Sequence, residues 1–134
     1  MEIKGKKAVV VGGASGMGRA TAEALAARGA NVAILDRQGS AGQEVATLIN
    51  GTFHACDITD TARVEAVLAT AVEGLGGLHI AVNTAGGGIA KRTLSKDGPH
   101  DLQSFQDVVN LNLVGTFNLN RLQAWHMSRN EPED

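Results

Sequence analysis

The feature that most constrains this 134-residue chain is a cluster of glycines where a strand hands over to a helix. Lys6–Val11 (KKAVVV) is a β-branched run, ended at once by Gly12-Gly13. Such a run reads as a short buried strand. Met17–Arg28 (MGRATAEALAAR) is rich in helix formers, and Gly29 is placed to cap it. Between them Gly12, Gly16 and Gly18 stand in G-x-x-x-G-x-G spacing. Glycine lets the backbone turn sharply and lets a pyrophosphate approach with no Cβ in the way. The helix start beyond it supplies free N–H groups and the positive end of a dipole. Taken alone, the cluster reads equally well as an ordinary strand-to-helix turn.

The rest of the chain repeats the same alternation. Asn31–Leu35 (NVAIL) reads as a second strand, Gln43–Ile49 as a short helix and Thr52–Cys56 (TFHAC) as a third strand. Asp60 is a good N-cap for an amphipathic helix running to Leu75, closed by Gly76-Gly77. Leu78–Val82 (LHIAV) reads as the fourth strand. Gly86–His100 has no clear period and reads as a long loop, of a length that marks functional or mobile segments. From Asp101 to about Met127 the spacing of Leu102, Phe105, Val108, Val109, Leu113, Phe117 and Leu122 predicts one long helix. Ser128–Asp134 is a polar, acidic turn or linker. Strand–helix alternation of this kind implies right-handed crossovers and a parallel sheet covered by helices on both faces. The doubly wound (Rossmann) order for four such strands is 3-2-1-4, an α/β fold.

Asp36 ends the second strand, eighteen positions after Gly18. A dinucleotide fold places an acid about 20 residues beyond its glycine loop to accept hydrogen bonds from the ribose hydroxyls. Loop and acid, each in the correct element, outweigh the plain-turn reading. An aspartate also favours NAD over NADP, because it repels a 2′-phosphate. Ser15 is not basic and does not offset that repulsion, although Arg37 is close enough in sequence to turn toward a phosphate.

Composition removes other classes. Hydrophobic residues make up 43% and charged residues 19%, which is globular rather than disordered. A net charge of -2 argues against a general nucleic-acid binder and against a polybasic membrane surface. The apolar runs are too short for a bilayer or a secretory signal, so a cytoplasmic location is expected. The single cysteine, Cys56, excludes an internal disulfide and a Cys-cluster zinc site. His54, His79, His100 and His126 have no metal-ligand spacing, so no metal is expected. No Gly-x-Ser-x-Gly elbow is present.

Together these residues resemble the short-chain dehydrogenase/reductase family, in family order along the whole chain. Gly12–Gly18 resembles its glycine motif, with Ser15, Gly16 and Met17 expected to touch cofactor. Asp57 and Ile58 resemble the residues after the third strand that contact adenine. Asn83-Thr84-Ala85-Gly86 resembles the family's N-N-A-G motif, with Thr84 in place of the second asparagine. Asn112, in Asn112–Phe117, resembles the asparagine that supports the active site through a water. The loop Gly87–His100, with Gly115–Asn118 (GTFN) and Asn130–Glu133 (NEPE), is similar to the type-2 3-hydroxyacyl-CoA dehydrogenase group. That group uses NAD on acyl-CoA and steroid alcohols. Lys91, Arg92 and Lys96 either attract CoA phosphates or form a solvated loop face.

The resemblance also implies a serine and a Tyr-x-x-x-Lys on later elements. This chain contains no tyrosine, and its last lysine is Lys96. The expectation is therefore a single dinucleotide-binding domain over 1–134, lacking the family's C-terminal catalytic part. It would be the NAD-binding portion of a secondary-alcohol dehydrogenase, inactive alone, with Asn112 as its one supporting active-site residue. The alternative is a non-catalytic module that binds a dinucleotide or a partner. The long helix lies at the main subunit interface in the family. A homo-oligomer is therefore expected, through an apolar surface of Phe105, Phe117, Leu122 and Trp125.

Overall fold

The computed structural model describes residues 1–133. Four parallel strands form the sheet: β1 (Lys7–Val11), β2 (Asn31–Asp36), β3 (Thr52–Ala55) and β4 (Ile80–Asn83). Their order is β3-β2-β1-β4, as the alternation predicts. The register pairs Val9 with both Ala33 and Ala81, so β1 is flanked on both sides. Its valines have no polar face to present, which is why the run is continuously apolar.

Alternate residues of the strands feed two separate cores. On one face Ala8, Val10, Val32 and Ile34 meet Ala22 and Leu25 of α1 (Gly16–Ala27) and Val45 and Ala46 of α2 (Gly42–Leu48). On the other, Val9, Val11, Ala33 and Leu35 meet Val64, Leu68, Ala71 and Val72 of α3 (Thr61–Leu75). Asp60 caps α3, its carboxylate accepting from the Arg63 N–H. Gly76 ends the helix in the left-handed region at φ +75°, a conformation glycine adopts without steric cost.

The chain after β4 departs from expectation in three ways. The long loop holds a two-residue antiparallel hairpin, β5 (Leu94–Ser95) against β6 (Gly98–Pro99), too short to leave a periodic signal. The long helix is continuous but not uniform. It comprises α4 (Leu102–Val109), a π-helical turn Asn110–Val114 and α5 (Gly115–Met127). The Gly115 N–H donates to the Asn110 carbonyl, one residue wider than an α-helical bond. Finally, Leu122 is buried beside Leu119 in the α3-side core, whereas Phe105, Phe117 and Trp125 are exposed. The expected apolar surface therefore lacks Leu122, which is buried against the α3-side core.

Candidate functional site

At the carboxyl ends of β1, β2 and β4 the structure forms a cleft of about 580 Å³. Chain crossovers change direction between β1 and β4, the place where doubly wound folds leave a crevice. One wall is the turn from β1 into α1, and Gly12, Ser15, Gly16 and Met17 line it. Asp36 and Arg37 close the β2 side, with Cys56, Asp57, Ile58 and Thr59 beyond. Thr84, Ala85, Gly86 and Gly87 form the β4 side, and Leu111 of the π turn borders it.

The motif glycines have distinct duties. Gly12 stands at φ +80°, and a Cβ there would lie 2.6 Å from Thr84 Oγ1 and 2.7 Å from the Ala85 nitrogen. A Cβ on Gly18 would lie 2.0 Å from the Gly12 carbonyl oxygen and 2.5 Å from Thr84 Oγ1. At these two positions the protein's own backbone requires glycine. Gly18 accordingly is buried beneath the turn rather than lining the cleft. Gly16, at φ +54°, is different, because a Cβ there would meet nothing within 4 Å. It leaves open space over the first turn of α1. N–H groups in a first helical turn have no intrahelical carbonyl to bond. The Ser15 side chain makes no capping hydrogen bond and is exposed toward the same space.

Asp36 is fixed from both sides. Its Oδ2 accepts from the Ala14 N–H at 2.9 Å and its Oδ1 from the Arg37 N–H at 2.7 Å. The acid at the end of β2 is thereby tied to the glycine turn. Asp57 Oδ1 accepts from both the hydroxyl and the N–H of Thr59, at 2.7 and 2.9 Å. Those two bonds, with a smaller contribution from the Arg37 charge, hold the Asp57 carboxyl below the usual aspartate range. Ile58 is buried and lies under Gly115. Burial pushes the Cys56 thiol up to about 11, with the neighbouring Asp57 charge adding to it.

The β4 exit carries the remaining predicted residues. Thr84 Oγ1 donates to the Val11 carbonyl at 3.0 Å, so it seals β4 against β1. Ala85 and Gly86 continue along the cleft. Asn83 turns the other way. Its side chain leaves the cleft and joins Gln123 and Asn120 of α5 in a cluster of amide hydrogen bonds. Asn112 lies behind the cleft wall. Its Oδ1 accepts from the Gly87 N–H at 3.2 Å and its Nδ2 donates to the Gly87 carbonyl at 2.6 Å. Its Nδ2 also donates to the Val108 carbonyl at 2.9 Å, one turn back in the helix. The π turn thus presents one side chain that clamps the strand exit. Among the described residues no group of three or more His, Cys, Asp and Glu side chains could hold a metal ion.

Sequence reasoning passed over Thr59, Gly87, Leu111 and Gln123. Thr59 had a signal, since an aspartate two residues before a threonine makes a local side-chain turn. The other three owe their place to the π turn and the packing of α5 on β4, which no local spacing reveals.

The fold agrees with comparisons to known proteins. The short chain dehydrogenase family model matches residues 6–132. The chain is 46% identical over 134 residues to 3-hydroxyacyl-CoA dehydrogenase type-2 of Drosophila melanogaster, and 43% identical over 135 residues to that of Bos taurus. Those alignments cover 97% and 98% of this chain but 52% of each relative, so the chain spans about half their length. A solved structure from Sinorhizobium meliloti 1021, described as a short-chain alcohol dehydrogenase, superposes with a TM-score of 0.83 at 33% identity. That match covers 93% of this chain and 50% of the other. On the matched residues and the shared fold, this chain belongs to the short-chain dehydrogenase family.

Proposed function

We propose that these 134 residues form the NAD-binding portion of a dehydrogenase acting on a secondary alcohol, such as a 3-hydroxyacyl-CoA. The observation that carries the reading is the cleft itself. One continuous surface brings together the open turn at Gly16, the tethered Asp36 and the β4 exit. The site fits a dinucleotide on its chemistry. Donor N–H groups with space above them suit a pyrophosphate. An acid beside that turn suits a vicinal diol, and an apolar patch including Ile58 suits an adenine face.

NAD, when bound, supplies the hydride acceptor. The chain's own residues bind and orient it. Ser15, Gly16 and Met17 would hold the pyrophosphate and Asp36 the adenosine ribose. Asp57 and Ile58 would border the adenine, and Thr84, Ala85 and Gly86 the far half. In this reading Asn112 is a positioning residue, because it fixes the Gly87 backbone. These 134 residues contain no tyrosine, so they do not supply the family's phenolic base. We therefore assign binding, not turnover, to this chain by itself, the non-catalytic alternative describing the same molecule in isolation.

The exposed Phe105, Phe117 and Trp125 support association of copies along the helix that runs from α4 to α5. A cytoplasmic location accompanies this reading. No described helix is long and apolar enough to cross a membrane.

Fluorescence titration with NADH and NADPH tests the proposal. Saturable NADH binding, weaker for NADPH, is expected. NADPH binding equal to or tighter than NADH would overturn the NAD assignment, and binding of neither would overturn the dinucleotide reading.

A further inference from the structure

We propose that Gln123 is a positioning residue for the dinucleotide cleft, acting through Asn83 on the β4 exit. The proposal rests on the dinucleotide reading above. Gln123 lies on α5 with only 3% of its surface exposed, although it carries four hydrogen-bonding positions. Its Nε2 donates to Asn83 Oδ1 and its Oε1 accepts from Asn83 Nδ2, both at 2.8 Å. Asn120 Oδ1 accepts a second bond from Asn83 Nδ2, at 2.9 Å. A reciprocal amide pair has one relative orientation that satisfies both bonds. It therefore fixes the rotation of the Asn83 side chain, and with it the backbone of the last residue of β4.

The two residues after Asn83 make that fixing consequential. Thr84 is the first, and its hydroxyl bonds to the Val11 carbonyl and lies where Cβ atoms on Gly12 and Gly18 would be. The Ala85 nitrogen presses on Gly12 from the same side. An error in the β4 exit would therefore be passed directly to the glycine turn. Asp57 has no such link, and Asp36 is reached only at second hand, through Ala14 of the turn. Arg37 on the β2 side also holds Asp36, and Thr59 on the β3 side holds Asp57. Gln123 thus acts first on the β4 side of the cleft and the glycine turn, and more weakly on the adenosine end.

Gln123→Met tests this in the 134-residue chain, because methionine keeps the shape and removes both amide bonds. Losing a buried pair of this kind corresponds to about a tenfold change in an equilibrium constant. The expected result is an NADH dissociation constant raised about tenfold, with the AMP constant raised by a clearly smaller factor. The blue shift of bound NADH emission, which reports the nicotinamide half, should also shrink. The swapped pair Asn83→Gln with Gln123→Asn keeps both bonds and the buried polarity. It should restore NADH affinity, and it carries the test if Gln123→Met does not fold. NADH affinity unchanged in Gln123→Met, or lost equally for NADH and AMP, would overturn the proposal. An unmutated chain that binds AMP but not NADH overturns this inference alone. One that binds neither removes the dinucleotide reading on which it stands.

Discussion

The glycine turn separates two causes that a motif merges. Gly18→Ala would drive a Cβ to 2.0 Å from the Gly12 carbonyl oxygen and 2.5 Å from Thr84 Oγ1, with little room to give. Overpacking of that kind costs about 1–3 kcal/mol. Gly16→Ala meets no atom, and its cost is the left-handed backbone alone, about 1 kcal/mol. Urea denaturation should rank Gly18→Ala as the more damaging, and equal midpoints would contradict the packing account. Gly16→Ala should instead weaken NADH binding more than its stability loss predicts, because its Cβ projects into the open space. Cys56 offers a second check. With its thiol pushed up to about 11 and its side chain buried, alkylation at pH 8 should be slow in the folded chain and fast in urea. Bound NADH should slow it further, and alkylation as fast in the folded chain as in urea would contradict the buried placement. Asp57 gives a pH dependence of known sign. Its folded carboxyl lies below the ordinary aspartate value near 3.9, so the unfolded chain binds a proton first. Its contribution is fully present above that ordinary value and is lost as pH falls through the lower folded one. Thr59→Val should flatten the stability profile in that acid window by lowering stability slightly at neutral pH, where the contribution is fully present, and leaving the most acidic end unchanged, an effect kept small by Asp57's exposure.

At the scale of elements, the π turn is the part of the fold that organises the cleft from behind. The widened turn places Asn112 where it bonds both polar atoms of Gly87 and the Val108 carbonyl. Asn112→Ala removes all three bonds. Each is worth about 1 kcal/mol, so the Gly87 amide should exchange with deuterium about fivefold faster or more. Exchange unchanged at Gly87 would show that the clamp does not hold the strand exit. The four strands and first three helices were legible because each has one dominant signal, such as the valines of β1 or the Asp60 cap of α3. In the last third the long helix was legible too, but its π turn and the hairpin before it were not. The π turn changes one hydrogen bond and leaves composition untouched, and the hairpin β5–β6 rests on two residue pairs. Helix α5 also inverts the usual polarity. It buries the amides of Asn118 and Gln123 and exposes Phe117 and Trp125. A reading that sends large apolar residues inward places Leu122 correctly on the core side or Phe117 correctly on the surface, but not both from hydrophobicity alone. The cleft was legible where local motifs build it, at the glycine turn and Asp36. It was illegible where distant elements meet, at Asn83 with Gln123 and at Asn112 with Gly87.

For the whole molecule, binding and turnover should come apart. A secondary alcohol loses a hydride and a proton together, and a positioned base for that proton is typically worth about 10²–10⁴-fold. The cleft residues named above bind and orient. None of them is a tyrosine, and Asp36 and Asp57, its carboxylates, are both committed to neighbouring N–H or hydroxyl groups. The 134-residue chain should therefore bind NADH yet form none from NAD with a 3-hydroxyacyl-CoA or a simple secondary alcohol. Its association should follow the exposed apolar side of the α4–α5 helix, where Phe105, Leu113, Phe117 and Trp125 are each more than half exposed. Phe117→Glu should shift the molecular mass by light scattering toward the monomer without altering the NADH dissociation constant, since Phe117 does not line the cleft. A monodisperse monomer before mutation would remove the association proposal and leave the cofactor assignment intact. Supplying a second fragment that carries a Tyr-x-x-x-Lys segment should restore NADH formation if the two associate. In that mixture Asp36→Ala should raise the NAD requirement about tenfold or more, as loss of hydrogen bonds to a charged group does. Robust NADH formation by the purified 134-residue chain, free of host dehydrogenase, would mean that a group other than tyrosine takes the proton.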